Sequence, residues 1–184
     1  MSAPTLLRRE LKNARAYFIP SGEVVDAVTV ANATWPDNNP LANWTAYEIP
    51  DLEELKEEKD VKKETFTIPD ASGGYREEEE EMVVSRKWKA STHKSSTYLK
   101  QLQHGLATIP VVGTAQTPGA KKDNALDGVL LLEIQNKTGT VIERLQIWAR
   151  LRLVSPGDAG PATAKLDISF EQLYSSLNSY VLVA

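Results

Sequence analysis

The sequence predicts a mainly β protein, an antiparallel β-sandwich or open barrel with one short flanking α-helix. Three observations predict it. Leu145, Ile147, Ala149, Leu151 and Leu153 alternate without a break with Arg144, Gln146, Trp148, Arg150 and Arg152, the period of a strand with one buried face. Leu166, Ile168 and Phe170 alternate again after the turn-forming run SPGDAGP. A single segment pairs helical spacing with both end signals: Ser95 or Ser96 as N-cap, Tyr98, Leu99 and Leu102 on one face, and Gly105 just past the end.

Taken in order, residues 1–20 mix Leu6, Leu7, Leu11, Tyr17 and Phe18 with Arg8, Arg9, Lys12 and Arg15 and read as a short helix or arm; residues 1–22 are set apart as an N-terminal arm. Residues 23–184 form one β domain. Glu23 to Ala31 is valine-rich and reads as a strand, broken by TWPDNNP, where Pro36 and Pro40 cannot serve a central ladder. Trp44 to Ile49 reads as a second short strand. Asp51 to Asp60 holds six acids and two lysines, with Leu52 and Leu55 on one narrow stripe; an exposed helix fits, and so does a strand running on through Phe66 and Ile68. Ser72-Gly73-Gly74 makes a tip. Glu77 to Glu81 are five consecutive carboxylates that must be solvated or matched, so about 51–81 is an extended acidic insertion.

From Met82 the pattern has period two, with Met82, Val84, Trp88 and Ala90 expected on one face; Arg86 intrudes there, either in a buried pair or where the strand leaves the core. Residues 110–124 read as a loop. Val129 to Ile134 is a strand, Lys137-Thr138-Gly139 a turn, Val141 to Val154 a long strand, and Tyr180 to Val183 a final edge strand.

At 184 residues, 41% hydrophobic and 25% charged, the chain is the size of one ordinary domain, able to bury ~70% of its unfolded surface in a single core. Zero cysteines exclude disulfides, iron–sulfur clusters, thiolate zinc sites and cysteine nucleophiles. No run of about 18 apolar residues occurs and MSAPTLLRRELKNARAYF has no apolar stretch, so neither a membrane span nor a secretory signal is expected. The sequons at Asn32, Asn43 and Asn136 are then chance matches.

His93 and His104 lie eleven residues apart and lack the spacing of a helical zinc pair, and the glycines fit no phosphate or dinucleotide loop. No catalytic residue, metal ligand or cofactor is expected. The isoelectric point of about 5.3 argues against ordinary nucleic-acid binding. Arg144, Trp148, Arg150 and Arg152 share one strand face, which is either a solvated surface or one that meets another sheet or subunit, where Arg and Trp are enriched.

The order of features resembles the major tail tube proteins of long-tailed bacteriophages: a Trp-containing segment (NWTAYEIPDL), an acidic insertion, a long strand, a short helix (SSTYLKQLQHGL), then DGVLLLEIQ, RLQIWARLRLV and AKLDISFEQLYSSL. The match runs from about Glu23 onward and rests on order and pattern. The arginine-rich start and the 110–124 loop have no counterpart. The resemblance implies a β-sandwich with a flanking helix that assembles into stacked hexameric rings, with DNA passing through the lumen without specific binding. It implies a virion tail protein made in the host cytoplasm, with itself, a tape-measure protein and tail-tip or terminator proteins as partners and no membrane. The insertion would contact the next ring. Leu52, Leu55, Glu78, Glu79, Glu80, Trp148, Arg150 and Arg152 are the candidate subunit or ring-stacking residues, an acidic arm on one face complementing arginines on the other.

Two other readings compete. A monomeric β-sandwich module could bind carbohydrate or protein through Trp35, Trp44 or Trp88, which requires a ring in solvent; Trp88 is expected to be buried. An enzyme with paired carboxylates has the least support, since exposed Glu runs are usually solvated faces.

Overall fold

The computed structural model describes residues 13–36, 42–50, 52–69, 71–92, 97–118, 125–136, 138–155 and 165–183. Its centre is the long alternating segment, strand β7 (Val141–Ser155). One side of β7 pairs along its length with β6 (Ala125–Gln135), and β6 pairs in turn with β1 (Asn13–Pro20). The other side is shared: the C-terminal half of β7 pairs with β8 (Leu166–Gln172) and the N-terminal half with β9 (Ser179–Leu182). Beyond β8 lie β5 (Tyr75–Thr92) and β4 (Leu52–Pro69), giving the order β1-β6-β7-β8-β5-β4 with every neighbour antiparallel. The sheet curls until the start of β4 comes back near β1, so the architecture is the mainly β, open-barrel alternative with one helix.

The parity of β7 sorts the two cores. Ile147, Ala149 and Leu151 face inward with Phe18, Leu130, Leu132, Trp88, Ile168 and Phe170, and helix α1 (Thr97–His104) lays Tyr98, Leu99 and Leu102 on this cluster. Each fully buried Leu, Ile or Phe there stabilises the fold by ~1.5–3 kcal/mol. Gly105, at φ 60°, ends the helix as expected: its amide bonds the Leu102 carbonyl at 3.2 Å and the Leu106 amide the Gln101 carbonyl at 2.9 Å. The proposed caps Ser95 and Ser96 and His93 lie outside the described residues, as do residues 1–12 and 119–124; His104 is exposed at the helix end.

The opposite face is covered too. Tyr17, Ile19, Val129, Leu131 and Trp148 pack under Val25, Val30 and Trp44. A strand buried on both faces reads as a continuous apolar run, which is why Val129-Leu130-Leu131-Leu132 shows no alternation.

Four expectations are corrected. Asn13–Pro20, expected within a helix or arm, is strand β1, because Ala16, Phe18 and Tyr17, Ile19 each find a core on their own side of the sheet. The strand over 23–31 is instead a small hairpin, β2 (Val24–Val25) and β3 (Val28–Thr29), turning through Asp26 and Ala27 at φ 51° and 62°. The strand expected over Trp44 to Ile49 is mostly a 3-10 segment, Ala42–Tyr47; three residues per turn bring Trp44 and Tyr47 to the same side, over the outer cluster. The face expected to join Met82 and Val84 to Trp88 and Ala90 is broken by a bulge. Asp60 pairs with Ser85 but Val61 with Val83, so parity shifts there; Met82 and Val83, on opposite faces, are both exposed because β5 pairs with β8 only from Lys87 onward, while Trp88 is buried.

Candidate assembly interface

The site is built from one hairpin. β5 pairs with β8 only over Lys87–Thr92, whereas β4 and β5 pair with each other from Leu52–Thr92 to Pro69–Tyr75. The outer part, from about residue 60 to a turn with Gly73 at φ 84° and back to about 86, therefore leaves the barrel as a two-stranded ribbon. Of the two forms open for residues 51–60, the strand is the one that occurs. Leu52 and Leu55 still both pack on the inner core, because a second bulge with Glu54 at φ 54° inserts one residue between the Glu53–Ser91 and Lys56–Lys89 pairs.

Directly paired residues on antiparallel strands share a face. One ribbon face carries Lys62, Glu64, Phe66, Ile68, Arg76, Glu78, Glu80 and Met82, and the other Val61, Lys63, Thr65, Thr67, Tyr75, Glu77, Glu79, Glu81 and Val83. Glu77 to Glu81 are all exposed, and three of them are matched within the ribbon. Lys63 holds Glu81 at 2.9 Å and Glu79 at 3.6 Å, and Arg76 holds Glu78 at 2.6 Å. Hydrogen bonding to Glu81, then its charge, raises the Lys63 ammonium above the usual lysine value. Glu77 and Glu80 have no ion-pair partner among the described residues. Phe66 and Met82 on one face and Tyr75 on the other are 44%, 54% and 76% exposed, apolar side chains set singly among the charges of the ribbon.

Where the ribbon meets the barrel, the curled sheet leaves an opening of about 570 Å³. Leu52, Leu55, Leu132, Ile134 and Leu145 wall it, with Tyr180, Lys59 and Arg86 at the same opening. Arg86 is exposed and marks the point where β5 leaves the core, one of the two roles open to it from the sequence.

The candidate residues divide. Leu52 and Leu55 line this opening, and Glu78, Glu79 and Glu80 lie together on the ribbon. The arginine face of β7 is engaged within the chain. Trp148 is buried under the ring of Trp35, stacked at 6.1 Å and 3°. Arg150 grips Asp127 through Nε at 2.7 Å and Nη2 at 2.9 Å, and Arg144 bonds the buried Glu133 at 2.8 Å. Arg152 is half-buried, paired in register with Ala125 and Ser169. Sequence reasoning missed the cross-strand pair of Lys59 and Arg86. Its signal was Arg86 breaking an apolar period, but its partner depends on hairpin register. Among the described residues, no group of three or more His, Asp or Glu is placed to hold a metal.

No family model matches the chain, and no curated protein sequence matches it. Among solved structures, the chain is similar to one in the cryo-EM structure of an extracellular contractile injection system, the PVC sheath-tube complex in its extended state. The identity is 11%, the TM-score 0.40, and the alignment covers 74% of this chain and 84% of that one.

Proposed function

We propose that this chain is a structural, non-catalytic protomer of a tail-tube assembly, which builds stacked hexameric rings around a channel that DNA traverses. The observation that supports the reading is the ribbon. A two-stranded hairpin on its own is marginally stable in water, and this one exposes Phe66, Met82 and Tyr75 beyond the last contact with β8. A projection of this kind gains stability by lying on another molecule, and identical copies bring both the projection and a surface to receive it. The sequence resemblance to tail tube proteins supplies the type of assembly. In this reading the protein is made in the host cytoplasm and resides in the particle's tail, with tape-measure and tail-tip or terminator proteins as neighbours.

The rival reading as a carbohydrate- or protein-binding module needs a tryptophan ring open to solvent. Trp44 and Trp88 are buried, and Trp35 is half-buried against Trp148. Negative-stain electron microscopy of the concentrated protein, with light scattering for mass, tests the proposal. Rings or tubes with a central hole are the expected result. A chain that remains monomeric across the concentration range counts against it.

A further inference from the structure

Beyond the Lys56–Lys89 pair within the barrel, where Lys89 is held by Glu58, two further rungs of the β4–β5 hairpin are built from like charges. Near the barrel, Lys59 stands directly opposite Arg86, and further out Glu64 stands directly opposite Glu80. Like charges facing each other across a strand pair destabilise it. In each rung one member is compensated locally, Lys59 by Glu57 at 3.7 Å and Glu64 by Lys62 at 2.6 Å. The other member, Arg86 or Glu80, has no ion-pair partner among the described residues. A single chain gains nothing from either rung.

We propose that the acidic rung of one copy docks on the basic rung of a second copy, with Glu80 meeting Arg86. The proposal rests on the assembly reading above and names the surface through which it acts. Charge and shape agree. The ribbon face that carries Glu80 also carries Phe66, Ile68 and Met82, and Arg86 stands at an opening of about 570 Å³ walled by leucines and Ile134. Apolar knobs beside an anion therefore meet an apolar hollow beside a cation. Two of the carboxylates at the opening are already engaged, Glu54 by Lys165 at 3.5 Å and Glu57 by Lys59, and the Glu143 side chain is buried in its wall. Donor and receptor are different patches, about 20 Å apart along one strand at ~3.3 Å per residue. Such a contact propagates from copy to copy. It also replaces the arginine face of β7 as the complement of the acidic arm, since Arg150 is already held by Asp127.

Charge reversal with rescue tests this in the full-length chain. Arg86→Glu, Glu80→Lys and the double variant are compared with wild type by sedimentation velocity and electron microscopy. Circular dichroism and melting curves establish that each is folded. Each single reversal is expected to raise the concentration for half-assembly about tenfold or more, the scale of like charges juxtaposed at an interface. The double variant, with the pair restored in the opposite sense, is expected to recover assembly. Single variants that assemble like wild type overturn the docking and leave the tube reading standing. Single losses without recovery in the double variant show that the two charges act at different contacts, and also overturn it. A wild-type chain that never assembles removes the docking and the tube reading together.

Discussion

Gly128 shows how much a single position can decide. It sits in β6 opposite Pro20, and a Cβ built there would lie 2.2 Å from the Ile19 carbonyl oxygen. Backbone cannot retreat as a flexible side chain can, so Gly128→Ala is expected to cost about 1–3 kcal/mol. A lowered urea midpoint at unchanged slope is the check. Tyr47 supplies a pH test. Its hydroxyl donates to Glu23 Oε2 at 3.0 Å, and burial, then that carboxylate, pushes its pKa from 10.0 up to about 12. The folded value exceeds the unfolded one, so this contribution is complete below about pH 10 and is lost as pH rises towards 12. The stability difference between wild type and Tyr47→Phe should therefore shrink in denaturation series between pH 9 and pH 11.5, against the ordinary tyrosine value near 10. At this scale the arginines of β7 were legible as an unusual strand face, but Asp127 and Glu133 were invisible as their partners. Only the β6–β7 register sets Arg150 opposite Asp127 and Arg144 opposite Glu133.

At the scale of elements, turns and bulges decide more than propensity does. The hairpin of β2 and β3 closes through two residues with positive φ, the geometry that favours Asn-Gly or Asp-Gly, yet its second position is Ala27. Left-handed backbone costs a residue with a Cβ ~1–2 kcal/mol, partly offset because glycine loses more entropy on folding. Ala27→Gly is accordingly expected to stabilise the protein by about 0.5–1 kcal/mol, read as a higher thermal midpoint. The three-residue spacing of Leu52 and Leu55 suggested a helix for the same kind of reason. A bulge at Glu54 resets strand parity, and spacing alone does not distinguish a helical turn from a bulged strand. The 3-10 segment over Ala42–Tyr47 escaped detection because its order comes from Trp44 packing against Tyr17, an edge-on ring contact at 6.4 Å from a distant strand.

For the whole molecule, the division between barrel and ribbon carries the functional expectation. Among the described residues, the ribbon beyond Asp60 and Ser85 contributes none to either core cluster. Replacing residues 61–84 with an Asn-Gly turn should therefore leave the thermal midpoint within a few degrees of wild type and abolish assembly in electron micrographs. Loss of the fold would show instead that the ribbon is part of the barrel's stability. The exposed ion pairs along the ribbon are individually weak and screened by salt. Assembly governed by the charged rungs should accordingly weaken as ionic strength rises.

The chain alone specifies the mainly β class, the long central strand, the C-terminal strands and the one helix with its glycine stop. Each of these is a local pattern of apolar spacing and turn chemistry that reports directly which face is buried. It also specifies that the run Glu77 to Glu81 stays in solvent, since adjacent carboxylates cannot be packed together. Strand pairing in three dimensions makes Asn13–Pro20 an edge strand, covers β6 on both faces, and holds Arg144 and Arg150 of β7 on Glu133 and Asp127 of β6. It alone sets Lys59 against Arg86 and Glu64 against Glu80. Those outcomes depend on which strands pair and in what register. A bulge of one residue changes the register and moves every side chain beyond it to the other face, and no local pattern in the chain records that shift.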